Sequence, residues 1–212
     1  CAVMYKLKRT TCLIIATLLV PGNAMAVEEA KYSVILKDDK FELRKYEPHV
    51  LAETIVDSDF EGAGNEAFNR LFKYISGNNK RQQEVAMTSP VGQSHSSQKI
   101  EMTSPVSQKE QDGKWAVSFM MPESFTLETT PEPMDSSVKI RQVPERHVAA
   151  VRYSGFWSTK NYIRNLEELK AWIEVKAYRP VGDPIWARYN PPFTPWFLRR
   201  NEILVPVEIP DQ

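Results

Sequence analysis

Two stretches of this chain repeat each other, and the repetition restricts the folds that the chain can adopt. Residues 138–153 align with residues 41–55 after a single one-residue gap, and both contain the pattern His-Val-x-Ala. Each stretch consists of short β-prone runs, followed by a segment with helical periodicity and then by further β-prone runs. We therefore predict a duplicated strand-strand-helix-strand-strand unit, with pseudo-repeats over about 32–121 and 138–208.

The first helix of this duplication is predicted over residues 62–76. Its apolar residues recur at offsets of three and four and form one stripe: Ala67, Phe68, Leu71, Phe72 and Ile75. Arg70 and Lys73 flank this stripe. Most amphipathic helices use such a stripe to cover a sheet, whereas an apolar face edged by cations also suits a flat apolar ligand that carries carboxylates. The pattern alone leaves both roles open.

The predicted fold follows from the need of each unit to bury its apolar face. Two units that each contain strands and one helix achieve this by bringing their strands together. The expected fold class is α+β: a distorted antiparallel β-barrel, built as two facing sheets, with two flanking helices. A ligand would bind where a helix meets the sheet.

The first 26 residues have the pattern of a secretory signal peptide. Basic residues at positions 6, 8 and 9 precede the apolar run 12–20, and Ala24-Met25-Ala26 has the form of an Ala-x-Ala cleavage site. This run is far shorter than the roughly 20 residues that span a bilayer. We expect Met4 to be the initiator, residues 1–3 to be upstream carry-over, and the cleaved protein to be periplasmic or secreted, without a membrane anchor.

Charge and cysteine content exclude several classes of function and site for residues 27–212. The leader holds three of the 27 basic residues and no acidic residue, so the remainder carries 24 basic and 27 acidic residues. A mildly acidic domain is a poor nucleic-acid binder. Both cysteines, Cys1 and Cys12, lie in the leader, which excludes disulfides, thiolate metal sites and a cysteine nucleophile from the rest. We expect one domain that is a monomer.

Six segments, in order along residues 32–208, carry a resemblance to a known family: Phe41-Glu-Leu-Arg-Lys-Tyr-Glu-Pro48, Phe72-Lys-Tyr-Ile-Ser-Gly-Asn-Asn79, Ala86-Met-Thr-Ser-Pro-Val91, residues 115–122, Ala187-Arg-Tyr-Asn-Pro-Pro192 and Arg199-Arg-Asn-Glu202. The chain resembles the SOUL-type haem-binding proteins, which include the animal haem-binding proteins. The resemblance implies a two-repeat α+β barrel that binds haem, or another tetrapyrrole, non-covalently.

The resemblance also implies that the first helix contributes to the haem site. The candidate haem-binding residues are Phe68, Arg70, Leu71, Phe72, Lys73 and Ile75. An apolar slot would hold the ring, and Lys73 and Arg70 would bond the propionates. Asn65 and Thr194 stand where the family has an arginine and a lysine.

Candidate axial ligands for the haem iron are fewer. His49 and His147 occupy equivalent strand starts in the aligned repeats, although strand-start surface residues are the commoner interpretation. His95 lies in a polar loop, and Met87 and Met102 occupy strand positions that more often serve core packing. Without a Cys-x-x-Cys-His motif, covalent attachment of c-type haem is excluded.

The sequence favours a binding protein over an enzyme, because the common hydrolase, metalloprotease and phosphate-loop motifs are absent. Haem transport, buffering or detoxification would then be its role. One alternative is an effector-binding or small-molecule-modifying protein that uses the cleft near Glu202, although an ion pair that fixes the last strand is the simpler interpretation. Another is a protein-interaction module with an exposed patch of Trp157, Trp196 and Phe197.

Overall fold

The computed structural model describes residues 27–60, 62–81 and 97–210. Its helices are α1 (Ala63–Ile75), α2 (Thr159–Val175) and a short 3-10 helix (Trp196–Leu198). Its strands are β1 (Tyr32–Asp38), β2 (Phe41–Tyr46), β3 (His49–Val56), β4 (Asn79–Lys80), β5 (Val106–Gln111), β6 (Lys114–Met120), β7 (Glu132–Pro133), β8 (Val138–Val143), β9 (Arg146–Tyr153), β10 (Arg179–Pro180), β11 (Ile185–Arg188) and β12 (Asn201–Glu208). Across these residues, no helix is both long and apolar enough to cross a membrane.

Ten of these strands form one antiparallel sheet. Its order is β1-β2-β9-β12-β11-β5-β6-β3-β8, and β10 pairs with β12 beside this path. Two β-prone runs joined by Lys37-Asp-Asp-Lys40 predict a hairpin between the first two strands, and the structure confirms it, with Asp38 opposite Phe41. Strands β4 and β7 form a separate two-stranded sheet. The fold is therefore mixed α+β, as predicted, with two helices and a large antiparallel sheet.

The two faces of the large sheet differ because successive residues of a strand point to opposite sides. In β3, Ala52 and Val56 pack under α1, whereas Leu51 and Glu53 point to the other side. The sequence alternates over residues 115–121, which predicts one shared face for Trp115, Val117, Phe119 and Met121. This prediction is confirmed, since all four pack on the α1 side in β6 or directly after it. We call the side that carries both helices the helix face and the opposite side the helix-free face.

Each helix covers one half of the helix face. Helix α1 packs on β3 and β6 through a core that includes Ala67 and Leu71. Helix α2 packs on β9 and β12 through Leu169 and Ile173. The helix face therefore holds two separate apolar cores, one under each helix.

Local signals fix the ends of α1, close to the predicted bounds. The Asp59 carboxylate accepts a hydrogen bond from the Gly62 amide at 2.6 Å. At the other end, Gly77 adopts a φ of 118°, and its amide donates to the Tyr74 carbonyl. Glycine reaches this left-handed region without strain, so it terminates the helix after Ile75.

The strand pairing explains why the expected barrel of two facing sheets is not seen. Strand β2 pairs with β9, and β8 pairs with β3. The first strand of each aligned stretch, 41–55 and 138–153, therefore pairs with the second strand of the other. Because β5 also pairs with β11, the halves merge edge to edge into one sheet. Among the described strands this sheet is open and ends at β1 and β8. The duplication itself stays a prediction, although the strand order is compatible with it.

A second expectation concerned a hairpin of near copies around residues 84–91 and 99–106. Residues 82–96 lie outside the described part of the chain. Residues 97–105 form no strand, and β5 begins only at Val106. Pro105 lacks the amide that a ladder requires, and Ile100 is buried beneath the end of α1, where its amide bonds to Ile75.

Candidate functional site

The buried side of α1 takes two of the predicted haem-binding residues into the protein core. The Leu71 side chain is 0 % exposed and that of Ile75 is 5 % exposed, and both pack with strand residues such as Phe119. Tyr74 is buried beside them and donates its hydroxyl to the Pro131 carbonyl at 2.7 Å. In this structure Leu71 and Ile75 support the helix from below and present no surface to a ligand.

A second side of α1 carries an aromatic pair that faces outward. The rings of Phe68 and Phe72 stack with centroids 5.8 Å apart and an interplanar angle of 11°. Phe68 is anchored edge-on against the buried Phe119 ring at 5.4 Å, whereas Phe72 is 45 % exposed. At 100° per residue, Asn65 falls on this same side of the helix. The result is an ordered aromatic surface with one free edge.

Arg70 lies on the opposite flank of α1, about 160° around the helix from Phe68. Its guanidinium donates to Glu66 at 2.6 Å and contacts Thr54 and the Ile55 carbonyl of β3 at 3.3 to 3.4 Å. The helix therefore separates Arg70 from the aromatic pair. A long stripe on a helix has two flanks, and the cation occupies the flank away from Phe68.

Lys73 occupies the outer surface of α1, next to Phe72 in the chain. It is exposed, and it makes no hydrogen bond or ion pair with any residue in the described ranges. Hydrogen bonds from Ser137 lower the pKa of Asp135, and the charges of Arg70 and Lys73 add to that shift. Lys73 is thus an exposed cation without a partner among the described residues, about 100° around the helix from Phe72.

The two candidate axial histidines lie on different faces of the sheet. His49 lines the helix-free face, where its Nδ1 donates to the Glu47 carbonyl at 2.8 Å and burial lowers the pKa of its imidazole. His147 lies two residues before Ala149 on β9, so its side chain points to the same face. Ala149 belongs to the core under α2 on the helix face. Neither is brought to the aromatic pair. Within the described ranges, no cluster of three or more histidine, cysteine or acidic residues could hold a metal ion.

The methionine and loop candidates add little to this picture. Met102 is described and is partly exposed, in the segment that precedes β5. His95 and Met87 lie outside the described residues.

Glu202, the centre of the alternative hypothesis, is fully buried in an ion network on the helix-free face. Arg44 donates to its carboxylate at 2.6 and 3.2 Å, and Arg200 donates at 3.0 Å. The Tyr189 hydroxyl adds a further bond at 3.0 Å. The Glu29 carboxylate closes the network by accepting from Arg200 at 2.9 Å. The Glu202 carboxylate therefore accepts four hydrogen bonds from three fixed side chains.

The electrostatics of this network keep Glu202 ionised. Burial by itself would raise the pKa of the carboxyl, but the hydrogen bonds and charges of Arg44 and Arg200 outweigh burial and lower it. Burial likewise opposes the charge of Arg44, and the Glu202 carboxylate reverses that effect and raises the Arg44 pKa. A carboxylate held in this way is a structural anion and a poor general acid.

Three members of this network were not predicted from the sequence: Glu29, Arg44 and Tyr189. Arg44 was visible only as part of a family-like segment, although alternation along β2 places it on the same face as Tyr46, whose hydroxyl it contacts at 3.2 Å. Glu29 gave no signal, because it precedes the first strand and reaches Arg200 only after the chain has folded.

The predicted interaction patch is partly exposed. Trp157 is fixed by a bond from its indole to Asn201 at 2.8 Å and lies between the guanidiniums of Arg188 and Arg199. Trp196 and Phe197 are exposed, and Phe156 stacks on Trp196 at 5.2 Å. Trp157 thus belongs to the framework, and its predicted companions form the exposed part.

Solved structures share this fold at low sequence identity. The C-terminal domain of EcmrR superposes with a TM-score of 0.52 and 14 % identity, covering 84 % of this chain and 98 % of that domain. A structure described as a hydrolase from Listeria innocua superposes with a TM-score of 0.52 and 12 % identity, covering 82 % of this chain and 94 % of that one. At such identities the likeness shows the fold alone.

Sequence comparison is more specific. Heme-binding protein 1 of Mus musculus is 27 % identical over 154 residues, which cover 70 % of this chain and 74 % of the mouse protein. Heme-binding protein 1 of Sus scrofa is 26 % identical over 183 residues, which cover 84 % of this chain and 92 % of the pig protein. A family model described as SOUL heme-binding protein matches residues 27–206. The chain therefore belongs to the SOUL heme-binding protein family.

Proposed function

We propose that this protein binds haem non-covalently against the outward aromatic side of α1. The observation that carries the proposal is the stacked pair of Phe68 and Phe72, which is fixed on its inner side by Phe119 and open on its outer side. A flat macrocycle can extend this stack without any rearrangement of the core. Family membership and the names of the mammalian relatives support haem as the ligand.

Lys73 is the cation that best suits a haem propionate in this arrangement. Its ammonium is exposed and unpaired within the described residues, and it follows Phe72 directly. A charge-assisted hydrogen bond of this kind contributes roughly 1.5 to 3 kcal/mol when shielded, and less at an exposed edge. Arg70 is assigned a structural role, because Glu66 and β3 already occupy its guanidinium.

We further propose that the protein acts after export, in haem transport, buffering or detoxification, as a monomer and as a binding protein without catalytic activity. The support is the leader-like pattern of residues 1–26, which lie outside the described residues, and the family match that begins at residue 27. The alternative, a small-molecule-modifying activity at Glu202, is less favoured because Arg44 and Arg200 saturate that carboxylate.

The test is a haemin titration of the protein, followed by the Soret band. We expect saturable one-to-one binding by the wild type and its loss in the Phe72→Asp, Lys73→Glu double variant. The matched control is Phe193→Asp, Lys160→Glu, which changes an exposed phenylalanine and an exposed lysine elsewhere. Equal loss in the control, or weak non-saturating uptake by the wild type, would contradict the proposal.

The same titration tests the axial ligand. If haem binds against α1, neither His49 nor His147 can reach the iron, because one lies on the opposite face and the other under the second helix region. We expect His49→Ala and His147→Ala to leave the Soret maximum of the complex unchanged. A shifted Soret maximum in either variant would indicate that the substituted histidine ligates the iron and that haem does not bind against α1.

A further inference from the structure

A small cavity of about 50 Å³ lies on the helix-free face of the sheet. Strands that stand far apart in the sheet order line it together, including β3 and β9, which have four strands between them. The sheet must therefore curl strongly around this space, even though its two edge strands do not pair. The N-terminal residues Glu29 and Ala30 complete the wall.

The charges in this cavity are not balanced within the described residues. Arg141 is neutralised by Glu53, which accepts from it at 3.0 and 2.7 Å. The carboxylate of Glu29 is already bound to Arg200. Arg146 donates to no acceptor, and its Nε is buried without a partner. Burial and the nearby charge of Arg141 lower the pKa of Arg146.

The strand register makes Arg146 the counterpart of His49. Tyr46 of β2 pairs with Arg146 of β9, and Val143 of β8 pairs with His49 of β3. These are the corresponding ends of the two mirrored strand pairs. The sequence alignment matched His49 with His147 instead, one residue away and on the opposite face. The cavity is therefore flanked by one residue from each half, a neutral imidazole and a cationic fork.

Arg146 is partly buried, and its Nε has no hydrogen-bond partner. The guanidinium keeps its proton in a protein, so a buried N–H left without an acceptor is a cost that a counter-ion or an ordered water would remove. The neighbouring network shows the contrast, because Arg44 and Arg200 each face a carboxylate. An anion bound in the cavity would stabilise the guanidinium of Arg146.

We propose that this cavity is a second ligand site, which binds a small monocarboxylate through the guanidinium of Arg146. A carboxylate matches the planar fork of arginine with two parallel bonds, and its negative charge also faces Lys109, a second lining cation that has no ion pair among the described residues. At roughly 10 to 15 Å³ for each water-sized group, the cavity accepts about three to five non-hydrogen atoms, which is an acid of up to about three carbons. Leu51, Met120 and Leu204 supply an apolar wall for its short chain.

This site is independent of the proposed haem function. The aromatic pair of α1 lies on the helix face, and the cavity lies on the other side of the same sheet. Loss of carboxylate binding therefore need not affect the haemin titration, and failure of the haem proposal would leave the cavity unchanged.

The test is thermal unfolding of the protein in acetate, propionate, butyrate, hexanoate, phosphate or chloride at matched ionic strength. We expect the unfolding temperature to rise saturably with acetate and propionate and to follow chloride with hexanoate and phosphate. Arg146→Met should abolish the propionate effect. Arg152→Met, an exposed arginine of the same strand, should retain it.

Stability in carboxylate-free buffer gives a second readout. Because Arg146→Met removes a partly buried charge with an unsatisfied Nε, we expect its unfolding temperature to equal or exceed that of the wild type there. If this variant does not fold, Arg146→Lys, which keeps the charge but lacks the fork, replaces it and should weaken the propionate shift. A wild-type shift no larger than that in chloride, a shift that survives in the folded Arg146 variant, or a response to phosphate in place of carboxylate would overturn the proposal.

Discussion

The two faces of the large sheet bury their side chains in different ways. The helix face is covered by α1 and α2 and holds apolar cores in which Leu71 and Leu169 are fully buried. The helix-free face buries charges, with Glu202 held between Arg44 and Arg200. The first face leaves an aromatic surface available outside, and the second fixes its charges inside. Glu202 was the residue that most suggested chemistry in the sequence, yet its ion pairs with Arg44 and Arg200 give it a structural role.

The largest expected effect is on the helix-free face. Glu202→Gln leaves Arg44 and Arg200 as unpaired buried cations, so we expect it to lower the free energy of unfolding by about 3–5 kcal/mol. Urea denaturation measures this loss. The control is Glu208→Gln, which breaks an exposed ion pair with Arg179 and should cost less than about 1 kcal/mol. Equal losses in the two variants would mean that burial does not distinguish these ion pairs.

The helix face should respond differently at two adjacent positions. Leu71→Ala opens a cavity in the core and should cost about 2–5 kcal/mol of unfolding free energy, while the folded variant still binds haemin. Phe72→Ala removes a half-exposed ring and should cost much less stability but weaken haemin binding. Urea denaturation and the Soret titration measure the two effects. A stable Leu71→Ala variant that loses haemin would place Leu71 in the ligand site after all.

The pH dependence of stability should also come from the helix-free face. Because the folded-state pKa of Glu202 is lowered, its contribution is complete above its ordinary value of 4.5 and disappears as the pH falls through the folded-state value. We expect a slope of up to about 1.4 kcal/mol per pH unit from this group below pH 4.5.

Glu202→Gln provides the control for this slope, since it removes the titrating group. The unfolding free energy of wild type and variant, measured across the acid range, should converge as the pH falls. A wild type that loses no more stability in acid than the variant does would show that other carboxyls control the acid limit.

The smallest expected effect compares the two flanks of α1. Arg70→Gln removes an exposed i,i+4 pair with Glu66, so its cost in stability should be about 0.3–0.5 kcal/mol, and haemin binding should persist. Lys73→Gln should leave stability unchanged and weaken haemin binding. Asn65→Arg should strengthen it, because Asn65 shares the aromatic flank. If Arg70→Gln weakens binding more than Lys73→Gln does, the haem lies on the other flank.

Residue patterns predicted much of the fold because they report local structure. The helical period gave α1 to within one residue at each end, and the period-two pattern gave the helix-face residues of β6. The barrel of facing sheets is not confirmed, and strand exchange between the halves could not be predicted because it depends on partners about 100 residues apart. Periodicity also could not tell the core side of α1 from its ligand side, which is why Leu71 and Phe72 were grouped.

The sites on the helix-free face were harder to predict for a related reason. Arg146 was hidden by an alignment that matched identical letters, His49 and His147, and so slipped by one residue. In a strand, such a slip moves a side chain to the other face. Glu29 became visible only once the segment before β1 was placed beside Arg200.

The position of β12 has a consequence for how the chain is made. Although β12 is the last of the described strands along the chain, it lies between β9 and β11 near the middle of the sheet. During synthesis, residues 201–208 must leave the ribosome before the two halves can join through this strand. A premature stop codon shortly before residue 201 would thus produce a protein without β12. The edges of β9 and β11 would then be unpaired and exposed to chaperones and proteases.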